Sequence, residues 1–556
     1  SLPRHEIARV SELLKSQLLQ PVNITPVQPS LAEAGLFILE GAGPGDSAFN
    51  EFNPLFNRNR LALQASGIAG GNDTLGDELV QSGVWNRFSY SLGQFHYESD
   101  GFRENNDRDQ DLYNAFAQVG LTHKTSLQVE YRYNHTENGD LPLRFDPDNF
   151  LSTLREDDRV RTGRFGFHHA FSSNSDLLGS FIYQNAEFDV GFNVDFLQPM
   201  PPSPPVPAHL DVMDRVDEEG YLAEIQHIFR AENIHLISGA GHFDADREAE
   251  TTERFRLSLP FPPFSDSSTT VTPEDSELDH SNLYLYSLIN YPENVSWTVG
   301  GSADFFEGID DKDEFNPKLG VMWNPFPDTL LRGAVFRTLQ RSLISSQTLE
   351  PTQVAGFNQF LEDGEGTESW TCGIAWDQQF SPVVHGGIEL TRRDLKVPYI
   401  FSGLGMKERV LEADWEEKIG RAYLYWTPQR WLALSGEYQY ERFDRVPEFL
   451  GEEELLEIET HIFSPGIRFF HPTGIYAGFQ PSYVDQKGMF GSSASGEDQF
   501  WVVDASLGYR LPKRYGFITL EVRNLLDKEF RFQETDPVSP RVYPERLFLA
   551  KATLAF

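Results

Sequence analysis

Runs of acidic residues are the first groups in this sequence that could do chemistry, because clustered carboxylates can bind Ca²⁺. The clearest run is Asp310, Asp311 and Asp313, and other acidic stretches occur at 106–111 and 452–454. None of them has the spacing of an EF-hand loop, with its central glycine and distal glutamate. We therefore interpret them as solvated acidic loops and keep Asp310, Asp311 and Asp313 as weak metal candidates.

Catalytic signatures are not found in the sequence. There is no Gly-x-Ser-x-Gly nucleophile motif, and the candidate serine, histidine and acidic residues fall on unrelated segments. The 14 histidines contain no His-x-x-x-His pair, and the neighbouring His168 and His169 would point to opposite faces of a strand. The sequence predicts a protein that is not an enzyme and has no cofactor.

Charged side chains at regular spacing near the carboxyl end could instead line a water-filled passage. Four of them, Asp504, Arg510, Glu521 and Arg523, alternate with apolar residues such as Val503, Leu507, Leu520 and Val522. This period of two is typical of a β-strand with one apolar and one polar face. We predict that the four charged residues face the lumen of a barrel and set its electrostatics.

The same alternation of apolar and polar residues recurs from residue 58 to residue 556. The connections between these candidate strands are alternately short and long. Strands of this kind, with short turns at one end and long loops at the other, are typical of outer-membrane barrels. We count about 21 candidate strands, and since such barrels favour even numbers we predict an all-β transmembrane antiparallel barrel of about 22, with 20 as the alternative. The long loops are predicted to include 191–216, 246–280 and 338–366.

The composition agrees with such a barrel. The 46 Lys and Arg residues against 84 Asp and Glu residues give a net charge of −38, which argues against nucleic acid as a partner. No run approaches the roughly 18 apolar residues of a membrane helix. The single cysteine, Cys372, excludes an intrachain disulfide. The predicted location is the outer membrane of a Gram-negative bacterium.

The amino-terminal residues have a different pattern. In residues 1–20 the side chains of Ile7, Val10, Leu14 and Leu18 form one helical stripe, which predicts a short amphipathic helix. Residues 21–57 are rich in Pro, Gly and Asn and are predicted to be a tether or a segment inside the lumen. The helix itself could be the end of a removed periplasmic repeat domain, or a free-standing helix that plugs the lumen.

The carboxyl end resembles the barrel of TonB-dependent receptors. The similar residues are Leu520–Phe530, the loop to Arg541 and the last strand to Phe556, with weaker similarity at 100–105 and 316–337. The resemblance covers about residues 58–556. It implies that Phe548 and Phe556 form the signal read by the barrel-assembly machinery, and that lipid and lipopolysaccharide surround the barrel.

Residues 1–57 leave little room for the plug domain of that family. The segment 349–370 and the opening helix are similar to plug-less barrels fused to tetratricopeptide repeats, some of which export polymers. We expect a channel that passes or exports a polar solute or polymer without a conventional plug. The alternative is a structural or adhesive anchor that presents its loops outside and binds a periplasmic or secreted partner.

Overall fold

A computed structural model describes residues 6–22, 60–200, 203–258, 265–308, 310–340, 343–344, 347–359, 363–401, 409–445, 455–490, 495–534 and 542–556. The predicted tether or lumen segment, 21–57, therefore lies outside the described residues except for its first two positions. The helix α1 spans Glu6–Leu19. No helix in the described part of the chain is long and apolar enough to cross a membrane.

Twenty-two strands form one closed antiparallel sheet, which confirms the predicted barrel and its strand number. Two further short strands, Gln353–Val354 and Phe357–Asn358, form a separate hairpin. The strands are β1 Arg60–Gly70, β2 Leu75–Trp85, β3 Phe88–Ser99, β4 Arg108–Gly120, β5 Thr125–Asn138, β6 Arg155–Ser172, β7 Ser175–Met200, β8 Ser203–Arg230, β9 Ile234–Ser258, β10 Ser265–Asn290, β11 Val295–Glu307, β12 Lys312–Phe326, β13 Thr329–Leu339, β14 Gln353–Val354, β15 Phe357–Asn358, β16 Glu368–Ser381, β17 Val384–Phe401, β18 Arg409–Gln429, β19 Leu432–Arg445, β20 Leu455–Phe470, β21 Ile475–Phe490, β22 Ser495–Arg510, β23 Gly516–Arg523 and β24 Leu547–Ala555.

The barrel closes where the last strand meets the first. Each barrel strand pairs with the next one along the chain, β13 pairs with β16, and β24 pairs with β1 from Gln64 opposite Ala555 to Gly70 opposite Leu549. The backbones of Phe556 and Leu63 add two further hydrogen bonds of 2.8 and 3.1 Å. No edge of the sheet is left open along this seam, as a membrane-embedded sheet requires.

The alternation of the sequence separates two faces of the barrel wall. On β22 the side chains of Trp501, Leu507 and Tyr509 are exposed on the outer surface, whereas Phe500 and Val502 are buried on the inner face. Strand after strand shows the same pattern, and the exposed apolar side chains together form a belt that contacts lipid. The location in the outer membrane follows from this closed barrel and its apolar belt.

Four strands, β7 to β10, are much longer than the membrane requires. They contain 26, 28, 25 and 26 residues, whereas about 9–11 residues span a bilayer. The predicted loops 191–216 and 246–280 are therefore wrong over most of their length, because continuous pairing carries these strands outward.

Candidate functional site in the barrel lumen

Helix α1 lies inside the barrel against the inner faces of β4 to β8. Leu14 and Leu18 are buried in a cluster with the wall residues Leu178 and Ile228 and with Leu349. Because each buried leucine contributes about 1.5–3 kcal/mol, the apolar stripe fixes the helix to this side of the wall. The helix therefore lies in the lumen, while both predicted origins, the end of a repeat domain and a free-standing helix, stay predictions.

Polar wall residues hold the carboxyl end of α1. The Gln128 side chain donates a hydrogen bond to the Gln17 carbonyl, and Arg164 Nη2 donates one to Gln17 Oε1 at 2.7 Å. Gln118 Nε2 donates to the Gln20 carbonyl at 3.1 Å. The last carbonyls of a helix lack the usual partner four residues on, and beside the 3.4 Å bond from the Gln20 N–H to the Gln17 carbonyl the wall supplies further donors.

The connection between β13 and β16 folds into the lumen, and its residues 347–359 are called the inward loop here. Thr348 Oγ1 and the Leu349 backbone N–H both donate to the buried carboxylate of Glu224, at 2.6 and 2.8 Å. Gln226 donates to the Leu349 carbonyl. Charge-assisted hydrogen bonds of this kind are stronger than those between neutral groups, so the loop is held firmly to β8.

Glu350 ties the inward loop to a second strand. Its two carboxylate oxygens accept hydrogen bonds from Asn282 Nδ2 and from the Tyr286 hydroxyl, each at 2.8 Å. Gln359 Nε2 also donates to the Tyr286 oxygen at 3.1 Å. All four side chains are more than nine-tenths buried, so each bond is shielded from water.

The tip of the inward loop is the hairpin of β14 and β15. Ala355 and Gly356 both have positive φ, 49° and 84°, as a two-residue type I′ turn requires. The Phe357 ring is buried against the barrel wall, and the Arg332 guanidinium lies 5.2 Å from its centre. A Cβ atom at Gly373 would stand 2.4 Å from that ring, so glycine is what lets the ring contact the wall.

Helix and loop also contact each other. The Thr348 backbone N–H donates to Ser11 Oγ at 3.1 Å, and Leu349 packs with Leu14 and Leu18. The two segments therefore form one filling, called the lumen filling here, which extends from β4 to β16. A displacement of either segment exposes apolar surface of the other.

Long connections close over the inner face at the end opposite the tight turns. Phe530 and Phe532, which follow β23, pack with Phe500, and the Phe500 and Phe530 rings stack at 4.1 Å. The connection after β5 is fixed by Asp140, which is fully buried and pairs with Arg103 at 3.0 Å and with Arg144 at 2.7 Å. Burial lowers the pKa of Arg103, and the Asp140 charge opposes that shift.

All four predicted lumen residues lie on the face opposite the exposed apolar side chains. Three of them form a network in which Arg523 contacts Asp504 at 3.1 Å and Glu521 at 3.7 Å, and Lys551 binds Glu521 at 2.9 Å. The Arg510 guanidinium lies 5.6 and 5.7 Å from the centres of the Phe470 and Tyr476 rings. Their role in a passage stays a prediction.

Further paired charges line the wall between the lumen filling and this network. Arg332 binds Asp377 at 3.0 Å and Glu389 at 2.8 Å. Arg421 binds Glu437 at 3.2 Å on the next strands. The inner wall from β13 to β24 therefore carries alternating positive and negative groups.

The remaining predicted site residues lie elsewhere. Phe548 and Phe556 are exposed on the outer surface of β24 and at the chain end. Asp310 pairs with Lys312 at 3.6 Å, and Asp310, Asp311 and Asp313 are absent from the His and carboxylate groups that the described residues bring together. Those groups contain His96, His135 and His242, which no spacing in the sequence singles out.

Solved structures with the same architecture are outer-membrane receptors and transporters. The ferric-catecholate import receptor Fiu of Escherichia coli K12 aligns with a TM-score of 0.63 at 13% identity, over 90% of this chain and 82% of its own. The copper transporter OprC aligns with a TM-score of 0.63 at 12% identity, over 92% and 83%. These neighbours are TonB-dependent receptors.

The ferripyoverdine receptor of the Pseudomonas aeruginosa outer membrane aligns with a TM-score of 0.63 at 12% identity, over 89% of this chain and 72% of its own. No family model matches the sequence, and no curated protein matches it either. At these identities the likeness establishes the barrel fold.

Proposed function

We propose that the barrel transports a polar solute or polymer across the outer membrane and that the lumen filling is its gate. The supporting observation is that α1 and the inward loop are joined to each other and to one side of the wall. The inner wall from β13 to β24 carries paired charges, which favour a polar cargo. The structural neighbours, named as receptors and transporters for iron complexes and copper, agree with a transport role.

In this scheme α1 and the inward loop close the lumen in place of a conventional plug domain. Helix α1 and the inward loop together contact inner faces from β4 to β16 through buried leucines, buried carboxylates and a seated hairpin. A periplasmic partner that binds α1 would act directly on the inward loop, because the Thr348 backbone N–H donates a hydrogen bond to Ser11 Oγ. A periplasmic repeat domain or a secreted polymer remains a proposed partner in this scheme.

Conductance in planar bilayers tests the proposal. The Glu350→Ala variant removes the acceptor for two buried donors, at a cost of about 1–3 kcal/mol for each donor left unpaired, and should loosen the inward loop. We expect brief openings in this variant and sustained openings after deletion of residues 1–57. The exposed Glu274→Ala serves as the matched control and should conduct like the parent chain.

Silence of both variants would contradict transport, provided that the purified chains still show the heat-dependent electrophoretic mobility of a folded barrel. Liposome swelling with neutral sugars then measures whether an open variant passes solutes larger than ions. Openings that also occur at the same frequency in Glu274→Ala would show that the inward loop is not the gate.

An outer-membrane anchor is the second candidate, and the long strands β7 to β10 favour it. At about 3.4 Å per residue and a 45° tilt, strands of this length rise roughly 60 Å, about twice the hydrocarbon thickness. They project a four-stranded sheet beyond the membrane, which could hold a partner. Under this proposal, shortening the projecting sheet would abolish partner binding and leave the conductance of the barrel unchanged.

A further inference from the structure

The outer face of strands β3 to β7 carries a row of carboxylates near the long-connection end of the barrel. Glu98 lies opposite Asp109, Asp109 opposite Glu137, Glu137 opposite Asp157, and Asp157 opposite Asp189. Each shares its strand face with exposed side chains of the lipid belt, such as Leu92, Tyr113, Tyr131, Phe165 and Phe181. Arg159 and Arg215 pair with Asp157 and Asp189 at one end of the row. Like charges directly opposite one another destabilise a sheet, and a bound cation would relieve this repulsion along the rest of the row.

Histidines lie beside this row. His96 and His135 both lie opposite Asp111, one on each side. His96 Nδ1 is 3.0 Å from Asp111 Oδ1, and His135 Nε2 is 3.0 Å from Asp157 Oδ1 and 3.3 Å from Glu137 Oε1.

These side chains form two groups, each with one imidazole and two carboxylates. The first is His96, Asp109 and Asp111, and the second is His135, Glu137 and Asp157. In each group one possible ligand atom per residue lies within 4.8 Å of the others.

A third group of the same composition lies on β9 and β10. It contains His242, Asp244 and Asp279, and its ligand atoms satisfy the same 4.8 Å limit. Asp244 lies opposite Asp279, which again sets two carboxylates against each other. All three groups thus combine a histidine with a cross-strand excess of negative charge on the outer face.

Tyrosines mark the height of these groups in the membrane. The Tyr133 and His135 rings are 6.5 Å apart, and the Tyr221 hydroxyl is 3.4 Å from His242 Nε2. Because outward tyrosines of a barrel lie at the level of lipid headgroups, the three groups face the phosphate-bearing surface of the membrane. Carboxylates beside phosphates repel each other unless a divalent cation lies between them.

We propose that each of the three groups binds a divalent transition-metal ion. Imidazole together with carboxylate suits ions of the Zn²⁺ and Co²⁺ class, whereas Ca²⁺ and Mg²⁺ take oxygen ligands alone. Three protein ligands leave coordination positions open, and a lipid phosphate or water can fill them. The metal neutralises the cross-strand carboxylates and holds the strands at the membrane surface.

Titration of the full chain in detergent with Co²⁺ tests the proposal, since nitrogen and oxygen ligation changes the visible absorption spectrum of this ion. We expect three bound ions for the parent chain, one for His96→Gln/His135→Gln, and none when His242→Gln is added. The control is His209→Gln, because among the described residues His209 pairs on the outer face with one carboxylate, Asp195, at 2.7 Å. This control should keep all three ions.

A second control removes charge without removing a histidine. Glu274→Gln/Asp275→Asn neutralises two exposed carboxylates of β10 and should leave the spectrum and the number of ions unchanged. If the histidine variants bind as many ions as the parent chain, general attraction to acidic residues explains binding and the proposal is overturned. Heat-dependent electrophoretic mobility confirms that each variant is a folded barrel.

Discussion

Gly373 shows how one residue of the wall determines the position of the inward loop. A side chain there would clash with the Phe357 ring, because its Cβ would lie 2.4 Å from the ring edge. Gly373→Val should therefore displace the hairpin tip and raise the conductance of the barrel. Hydrogen exchange of 353–358, measured by mass spectrometry, should become at least tenfold faster.

Gly163→Ala is the matched control for this substitution, since no described residue lies within 4 Å of a Cβ atom at that wall position. Its exchange and conductance should equal those of the parent chain. Unchanged exchange in Gly373→Val would mean that Phe357 does not hold the hairpin.

Individual lumen residues were predictable only where they belong to regular strands. Alternation assigned Asp504, Arg510, Glu521 and Arg523 to one face, because a strand repeats every two residues. The network of Glu350, Asn282 and Tyr286 was not predictable, since its members are separated by 64 and 68 positions. A buried glutamate in a predicted loop gives no local signal of its partner.

Helix α1 is held by its apolar stripe, and this makes its position testable. Leu14→Asp/Leu18→Asp would bury two charges among Leu178, Ile228 and Leu349, which is far more costly than exposing them to water. We expect the helix to leave the wall and trypsin to cleave at Lys15, which is shielded in the parent chain. Mass spectrometry of the early fragments measures this cleavage.

Glu12→Ala is the matched control on the exposed side of the helix, where Glu12 forms a local pair with Lys15. It should leave cleavage nearly unchanged. Equal cleavage of the parent chain and the leucine double variant would contradict the packing of α1 inside the barrel.

The local sequence pattern predicts helix α1 and the membrane-spanning strands better than it predicts their surroundings. The stripe of Leu14 and Leu18 indicates a helix but not the surface that covers it. Strands β7 to β10 pass through segments rich in Pro, Ser and Thr, where propensity favours loops, and long-range pairing overrides that preference. Thus the membrane-spanning portions were predicted well, whereas the projecting portions were not.

Closure is a property of the whole molecule, and Phe556 contributes to it at the seam between β24 and β1. Phe556 joins Leu63 through two backbone hydrogen bonds and exposes its ring on the outer surface beside Tyr515, 6.5 Å away. The strand number followed from counting alternations, but the seam required the register of β24 against β1.

Deletion of Phe556 should remove both hydrogen bonds and slow assembly in the outer membrane several-fold. Phe556→Tyr keeps the backbone and an aromatic ring, so it should assemble at the parental rate. Pulse-chase labelling, with the heat-shifted band as the measure of folded barrel, distinguishes the two variants. Equal rates would show that neither the terminal ring nor its hydrogen bonds limit assembly of this barrel.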